Sequence, residues 1–216
     1  MPVYRLTKDL LFPPPAFADE DGLLALGGDL SRDRILLAYS MGIFPWYSDG
    51  SPILWWSPDP RLVLIPEELK VSRSLGQVIK KGIFSVTMDA AFDRVIRNCS
   101  EINRKGQHGT WITEEMISAY IDLHCAGYAH SIESWDCGEL VGGLYGIALD
   151  KAFFGESMFS IKSNASKVAF VTLVEKLKKM NFSFIDCQVA TEHLKSLGAR
   201  EISRKKFLQM LKKALE

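Results

Sequence analysis

The sequence lacks long apolar runs, an export signal and an excess of either charge. None of its apolar stretches approaches the ~18 residues that a membrane-spanning helix needs, and residues 1–11 show no basic segment followed by an apolar one. Because 26 Lys and Arg residues balance 26 Asp and Glu residues, any contact with nucleic acid must come from a local patch. These absences predict a cytoplasmic protein that makes no membrane contact.

Cysteine and histidine are scarce and scattered. The four cysteines form no C-x-x-C pair, and the four histidines form no H-x-x-x-H pair. The pattern therefore predicts neither a metal site nor a disulfide framework. Heptad repeats are absent as well, so a monomer is expected.

What the chain does contain is enough apolar material for a packed core, with 47% apolar and 11% aromatic residues. Prolines and glycines divide residues 1–61 into short pieces, of which only 31–41 has the pattern of a regular helix. The prolines around Trp55 and Trp56 exclude a central strand there. We therefore expect a small, loop-rich N-terminal domain over residues 1–61, held by aromatic packing, and a second domain over residues 62–216.

The second domain has regular patterning. Helices are predicted over 72–81, 90–99, 113–126 and 204–215, and strands over 62–65 and 84–88. Strands over 128–135, 139–148 and 152–159 form an antiparallel meander, and an amphipathic helix over 164–180 leads to a parallel strand over 182–189. This order is typical of GCN5-related N-acetyltransferases (GNAT). The predicted fold class is α+β, with the N-terminal domain followed by a GNAT-like mixed-sheet domain; fold alone does not assign function.

Polar residues within two apolar strands are the first candidates for chemistry. Strand alternation puts Asp186 and Gln188 on one face and Cys187 on the other, which disfavours a nucleophile made of Cys187 and Asp186. Cys187 is then a small core residue, whereas Asp186 and Gln188 need a partner or a ligand. Glu156 also requires a cationic or hydrogen-bonding partner, which is either a ligand or a Lys or Arg of the same chain.

The connection between the strand over 152–159 and the helix over 164–180 argues against coenzyme A as acyl donor. Acetyltransferases use a glycine-bearing turn there to cradle the pyrophosphate, and no glycine occurs between Gly155 and Asn181. The first domain offers tryptophans that could stack on a nucleobase, although a tryptophan taken singly is more often a core residue. A local excess of basic residues, which is either a phosphate-binding patch or a solvated face, comprises Arg61, Lys70, Arg73, Lys80 and Lys81.

Several long motifs carry a family resemblance. They are GLLALGGDL at 22–30, GIFPW at 42–46, PILWWSPDPR at 52–61, GTWIT at 109–113, GESMFS at 155–160, NAS at 164–166 and IDCQ at 185–188. With these motifs the chain resembles the bacterial leucyl/phenylalanyl-tRNA–protein transferases. The resemblance implies an enzyme that moves Leu or Phe, and also Met, from aminoacyl-tRNA to the N-terminal Arg or Lys of acceptor proteins. The new peptide bond marks those proteins for N-end-rule degradation, and neither a metal nor a nucleotide cofactor is implied.

The resemblance also implies roles for individual residues. Trp46 and Trp111 resemble the residues that hold the terminal adenosine of the tRNA, and the aminoacyl-adenosine site further includes Leu144, Phe153, Ser157 and Met158. Among these, Leu144, Phe153 and Met158 resemble the walls of the pocket for the donor's apolar side chain. Alternation puts Phe153 on the face opposite Glu156 and Met158 unless a bulge intervenes.

Glu156, Asp186 and Gln188 match the polar residues of the family's active site. The acceptor's α-amino group has a pKa of about 8, so a minority is free amine near neutrality. Our hypothesis is that Gln188 orients this amine, Asp186 fixes Gln188 and helps to draw off the proton, and Glu156 helps to place the cationic N-terminus. The basic patch that includes Arg61 would contact phosphates of the acceptor stem.

Two other functions compete with this hypothesis. An acetyltransferase that uses acetyl coenzyme A fits the predicted fold, but the glycine-free turn disfavours it. A non-catalytic RNA-binding module would retain the tRNA contacts, but the presence of Glu156, Asp186 and Gln188 together disfavours it. The preference between Leu and Phe stays open.

Overall fold

The structure is a computed structural model that describes residues 3–101 and 111–216. Gly109 and Thr110 of the GTWIT motif lie outside the described residues. The α-helices are α1 (Arg32–Ser40), α2 (Arg73–Lys80), α3 (Phe92–Glu101), α4 (Glu114–Cys125), α5 (Ala165–Lys179), α6 (Glu192–Ser196) and α7 (Arg204–Ala214). The strands are β1 (Tyr4–Leu6), β2 (Leu23–Gly27), β3 (Phe44–Pro45), β4 (Leu54–Trp56), β5 (Arg61–Leu64), β6 (Ser85–Met88), β7 (Ala129–Asp136), β8 (Glu139–Leu149), β9 (Ala152–Ser160), β10 (Phe184–Gln188) and β11 (Arg200–Ile202).

The N-terminal part contains a four-stranded sheet with the order β1-β2-β4-β3. Strand β4 is an interior strand, so the prediction that prolines exclude a central strand here was wrong. Pro52 and Pro58 flank this three-residue strand without interrupting it, and proline disrupts a sheet only where its missing N–H is needed. Trp55 is fully buried on β4, and its indole N–H donates to the carbonyl oxygen of Gly27 at 2.9 Å.

The second sheet has seven strands in the order β11-β5-β10-β9-β8-β7-β6. The predicted meander is confirmed, since β7, β8 and β9 pair antiparallel and β10 lies parallel to β9. Helix α5 connects β9 to β10 and buries Phe170, Leu173, Val174 and Leu177. The fold is therefore α+β with a GNAT-like mixed sheet, as predicted, while α6 and β11 after β10 were not predicted.

One of two hydrophobic clusters contains residues from both sheets. Tyr39 of α1, Trp55 of β4, Phe154 of β9 and Phe207 of α7 are all fully buried and belong to the same cluster. Helix α7 packs closely on the N-terminal part, because a Cβ atom at Gly42 would lie 2.8 Å from the side chain of Phe207. The N-terminal residues therefore contact the large sheet directly. Within the described part of the chain, no helix is long and apolar enough to cross a membrane.

Candidate active site

A cleft of about 440 Å³ opens where β9 and β10 separate. The two strands pair from Phe184–Ala152 to Asp186–Phe154, and beyond this pairing both contribute side chains to the cleft. Predicted site residues that line it are Trp46, Trp111, Leu144, Phe153, Glu156, Ser157, Met158 and Gln188. The fold thus brings eight of the predicted site residues to one cavity.

A bulge in β9 settles the conflict over strand alternation. Tyr145 pairs with Ser157 and Gly146 pairs with Gly155, so Glu156 is an extra residue without a partner on β8. The inserted residue reverses the alternation, and Phe153 and Met158 therefore pack in the same hydrophobic cluster beside α5. Gly146 is required opposite this bulge, because a Cβ atom there would lie 2.6 Å from the ring of Phe153.

A second irregularity occurs in β10. Asp186 pairs with Val63 and Gln188 with Leu62, which leaves Cys187 without a partner on β5, and Gln188 has a φ of 61°. This left-handed conformation is uncommon for a residue with a Cβ atom. The prediction that Asp186 and Gln188 share a face was wrong for this reason. Gln188 and Cys187 both line the cleft, whereas Asp186 does not.

Three uncharged groups hold the carboxylate of Glu156. Its Oε1 accepts hydrogen bonds from the Tyr39 hydroxyl at 2.7 Å and from Gln188 Nε2 at 3.0 Å, and its Oε2 accepts one from the Tyr120 hydroxyl at 3.0 Å. Within residues 3–101 and 111–216 no Lys or Arg pairs with it, so the same-chain cation considered above is not its partner. Burial raises the pKa of Glu156 from 4.5 to about 7 despite the two tyrosine hydrogen bonds.

The amide of Gln188 bridges this carboxylate and the open cleft. Its Nε2 donates to Glu156, and no described residue donates a hydrogen bond to its amide oxygen. An amide oxygen in this position can accept a hydrogen bond from an incoming amine.

Asp186 lies behind the cleft in a buried ion pair. Its two oxygens accept hydrogen bonds from Arg61 Nε at 2.9 Å and Nη2 at 2.7 Å, and neither side chain is more than 1% exposed. The guanidinium carbon of Arg61 lies 4.7 Å from the centroid of the Phe44 ring and 4.6 Å from that of Phe207. The same carboxylate accepts the backbone N–H of Gln188 at 2.9 Å. Asp186 therefore holds Gln188 through the backbone and does not face the reactants.

The burial of Arg61 corrects one prediction. A guanidinium that is fully buried and bidentate to Asp186 cannot contact a tRNA phosphate, so Arg61 does not belong to the proposed patch. The other four basic residues of the patch are on or beside α2, and within the described part of the chain none has a carboxylate partner. They are Lys70, Arg73, Lys80 and Lys81, and all four are exposed.

The apolar part of the cleft is larger than the sequence indicated. Phe170 and Leu173 of α5 and Ile185 of β10 line it together with Leu144 and Phe153. The helical periodicity of α5 identified Phe170 and Leu173 as buried, but periodicity cannot separate a core position from a cavity wall.

The cleft is also lined by Phe44, Pro45, Trp46 and Trp111. Trp56 holds Trp46 in place through two contacts. Its Nε1 donates a hydrogen bond to the Trp46 carbonyl oxygen at 2.6 Å, and the centroids of the two rings are 5.9 Å apart. Trp55 is fully buried in the core, so it offers no stacking surface.

Cys187 and His193 also line the cleft, and neither was predicted to do so. Cys187 was expected in the core on the other face; burial and the nearby Asp186 raise the pKa of its thiol, which keeps it protonated. His193 of α6 also lines the cleft, and no motif marks it in the sequence. Among the described residues, no cluster of three or more His, Cys, Asp and Glu side chains could hold a metal ion.

Comparison with known proteins gives a consistent result. The family model described as "Leucyl/phenylalanyl-tRNA protein transferase" matches residues 63–212, and that of its N-terminal domain matches residues 28–59. A solved GCN5-related N-acetyltransferase from Kribbella flavida covers 78% of this chain and 60% of its own, at 8% identity and a TM-score of 0.40. That likeness is too weak to support an argument about this chain.

Curated relatives match over nearly the whole chain. The leucyl/phenylalanyl-tRNA–protein transferase of Syntrophobacter fumaroxidans is 62% identical over 211 residues, which cover 98% of this chain and 90% of the relative. That of Desulforapulum autotrophicum is 56% identical over 216 residues, which cover 100% of this chain and 94% of the relative. At this identity and coverage, the chain belongs to the leucyl/phenylalanyl-tRNA–protein transferase family.

Proposed function

We propose that this aminoacyltransferase takes Leu or Phe, and also Met, from charged tRNA and joins it to proteins that begin with Arg or Lys. Membership of the family supports an aminoacyl-tRNA as the donor substrate and a protein as the acceptor substrate. Modification of a basic N-terminus would mark the acceptor for N-end-rule degradation. The enzyme would act as a monomer in the cytoplasm, where charged tRNA is made and used.

The observation that carries this proposal is the composition of one cleft. This cleft is lined by Trp46 and Trp111, by apolar side chains, and by the polar side chains of Glu156 and Gln188. A terminal adenosine on the tryptophans would direct the esterified amino acid toward the apolar walls. Those walls would admit Leu, Phe and Met and would reject charged side chains because of their desolvation cost. They would separate side chains that differ by one methylene by only about 1–3 kcal/mol.

The proposed chemistry is aminolysis of an ester that is already activated. The acceptor nitrogen attacks the ester carbonyl, the C–N bond forms, and the C–O bond breaks with its electron pair going to the tRNA ribose. The amide oxygen of Gln188 would accept a hydrogen bond from the attacking amine, while Nε2 stays on Glu156. The carboxylate of Glu156, when ionised, would attract the cationic N-terminus.

Asp186 and Arg61 would act as positioning residues. The Arg61–Asp186 pair anchors the backbone N–H of Gln188 and supports its left-handed conformation. This replaces the hypothesis that Asp186 draws off the proton, since its oxygens already accept three hydrogen bonds away from the cleft. Lys70, Arg73, Lys80 and Lys81 would contact phosphates of the acceptor stem without reading its sequence.

Mass spectrometry of a peptide acceptor tests this function. The protein is mixed with Phe-tRNA and a peptide that begins with Arg, and a phenylalanyl residue is expected at its N-terminus. The same peptide beginning with Glu is the control for acceptor choice, and acetyl coenzyme A replaces Phe-tRNA in a second control. An acetylated peptide without phenylalanyl transfer would refute the proposal in favour of an acetyltransferase, and tRNA binding without any product would favour a non-catalytic module.

A further inference from the structure

His193 is a titratable side chain of the cleft that the proposed chemistry leaves without a role. It is the second residue of α6, whose first turn is fixed by a hydrogen bond from the Leu194 backbone N–H to Thr191 Oγ1 at 3.2 Å. Its ring is half-buried and lines the same cavity as Gln188. Helix α6 therefore places an imidazole in the lining of the proposed active-site cleft.

The ring of His193 differs from two other histidines of the structure. His124 Nδ1 lies 2.8 Å from the carbonyl oxygen of Ala129, and His130 Nδ1 lies 2.9 Å from Asp89 Oδ2. Among the described residues, neither ring nitrogen of His193 has a hydrogen-bond partner. A ring nitrogen that lines a cleft without an internal partner is open to a ligand.

The surroundings of His193 keep the imidazole uncharged. Burial lowers its pKa, and the positive charge of Lys167 on α5 lowers the pKa further. The other charged groups nearby are Glu192 and Lys195 of its own helix, with Lys195 paired to Glu201 at 2.9 Å, and Glu156 in the same cleft. At neutral pH the ring therefore has one nitrogen that can accept a proton.

The other candidate proton acceptors are already engaged. Glu156 accepts hydrogen bonds on both oxygens, from two tyrosines and from Gln188. Asp186 is buried against Arg61, and the Cys187 thiol stays protonated. Among the carboxyl, thiol and imidazole groups that line the described cleft, His193 is the one whose side-chain polar atoms have no hydrogen-bond partner within the described residues.

We infer that His193 accepts the proton that the attacking amine loses as the peptide bond forms. This inference rests on the proposed function. The nitrogen uses its lone pair to form the C–N bond and becomes acidic, and one of its protons passes to the imidazole. The C–O bond then breaks with its electrons going to the ribose oxygen, which takes the proton back from the imidazolium. Protons and electrons balance without a further reactant.

Two variants, His193→Ala and His193→Gln, test the inference in single-turnover transfer from Phe-tRNA to the Arg-starting peptide. A general-base role predicts a loss of about 100-fold in both variants at neutral pH, with partial rescue of His193→Ala by imidazole in the buffer. Lys195→Ala on the same helix is the matched control and should retain the wild-type rate. Tryptophan fluorescence should show unchanged binding of Phe-tRNA, which also verifies that the variants fold.

The pH profile separates a proton acceptor from a structural residue. The ratio of the wild-type rate to the His193→Gln rate should fall as the pH drops through the lowered pKa of His193, because a protonated imidazole cannot accept a proton. Titration of the amine and of Glu156 affects both rates equally and therefore cancels in the ratio. A ratio that is constant with pH, or wild-type rates in both variants, would overturn the inference. Failure of the wild-type protein itself to transfer Phe would refute the proposed function instead, so the two failures are distinguishable.

Discussion

The carboxylate of Asp186 receives two hydrogen bonds from the guanidinium of Arg61, and both side chains are removed from solvent. The two residues are 125 positions apart in the sequence and join adjacent strands, β5 and β10. Because Asp186 also accepts the backbone N–H of Gln188, the ion pair links the core to the cleft. A buried charge that supports a strained backbone next to a reaction centre has consequences for both stability and turnover.

Removal of one partner of this pair should destabilise the protein strongly. Arg61→Met leaves a buried carboxylate without its cation, and we expect the free energy of unfolding to fall by about 3–5 kcal/mol. The double variant Arg61→Met with Asp186→Leu should be more stable than Arg61→Met alone, since it buries no charge. Urea unfolding curves give both values. Equal stabilities of the single and double variants would show that the loss came from packing between Phe44 and Phe207 and not from the charge.

Gln188→Ala separates orientation of the acceptor from binding of the donor. The substitution removes the amide that contacts Glu156 and leaves Trp46 and Trp111 unchanged, so turnover should fall by about 10-fold or more while the dissociation constant of Phe-tRNA stays the same. Alanine must also adopt a φ near 61°, so Gln188→Asn, which tolerates this region better, is a second test. An unchanged turnover number in both variants would remove Gln188 from the mechanism.

The architecture could be predicted because it depends on local periodicity. The apolar runs of β7, β8 and β9 with the short turns between them, and the 3.6-residue period of α5, each depend on neighbouring residues, so the GNAT-like order followed from the sequence. The directions in which the side chains of the site point could not be predicted in this way. One inserted residue in β9 and one in β10 reverse the alternation at Glu156 and Cys187, and no composition signal marks either bulge.

Side-chain contacts between residues far apart in the sequence could not be predicted either. Tyr39 and Tyr120 hold Glu156 from 117 and 36 residues away, and the acidic partner of Arg61 is on a strand late in the chain. An Arg in a stretch with several other basic residues suggested a surface patch, but the chain buries it between two aromatic rings.

The raised pKa of Glu156 predicts a pH-dependent contribution to stability. Its pKa is about 7 in the folded protein and 4.5 as the ordinary value, so the folded state binds more protons between these pH values. The contribution of Glu156 to stability is therefore most favourable below the unfolded pKa and is lost as the pH rises through about 7. The difference in unfolding free energy between wild type and Glu156→Gln should decrease over this window by at most about 3 kcal/mol.

Tyr39→Phe provides the matched variant for this measurement. It removes a hydrogen bond that favours the ionised carboxylate, so the pKa of Glu156 should rise further and the pH window should extend upward. Tyr47→Phe is the control, because its hydroxyl contacts Thr113 and Glu115 and not Glu156. A stability difference between wild type and Glu156→Gln that does not change with pH would contradict the raised pKa.

If the basic patch on α2 contacts tRNA phosphates, the affinity for tRNA should depend on salt concentration through these residues. If Lys70, Arg73 and Lys80 each neutralise one tRNA phosphate, replacing all three with Gln should reduce the slope of log affinity against log salt concentration by about 2–3. The control replaces three exposed lysines of α7, Lys205, Lys206 and Lys212, which removes the same net charge from another surface. Binding is measured with uncharged and Phe-charged tRNA over a series of salt concentrations. An equal change of slope in both triple variants would indicate a general effect of net charge, and an unaltered slope in the α2 variant would exclude this patch as the tRNA contact.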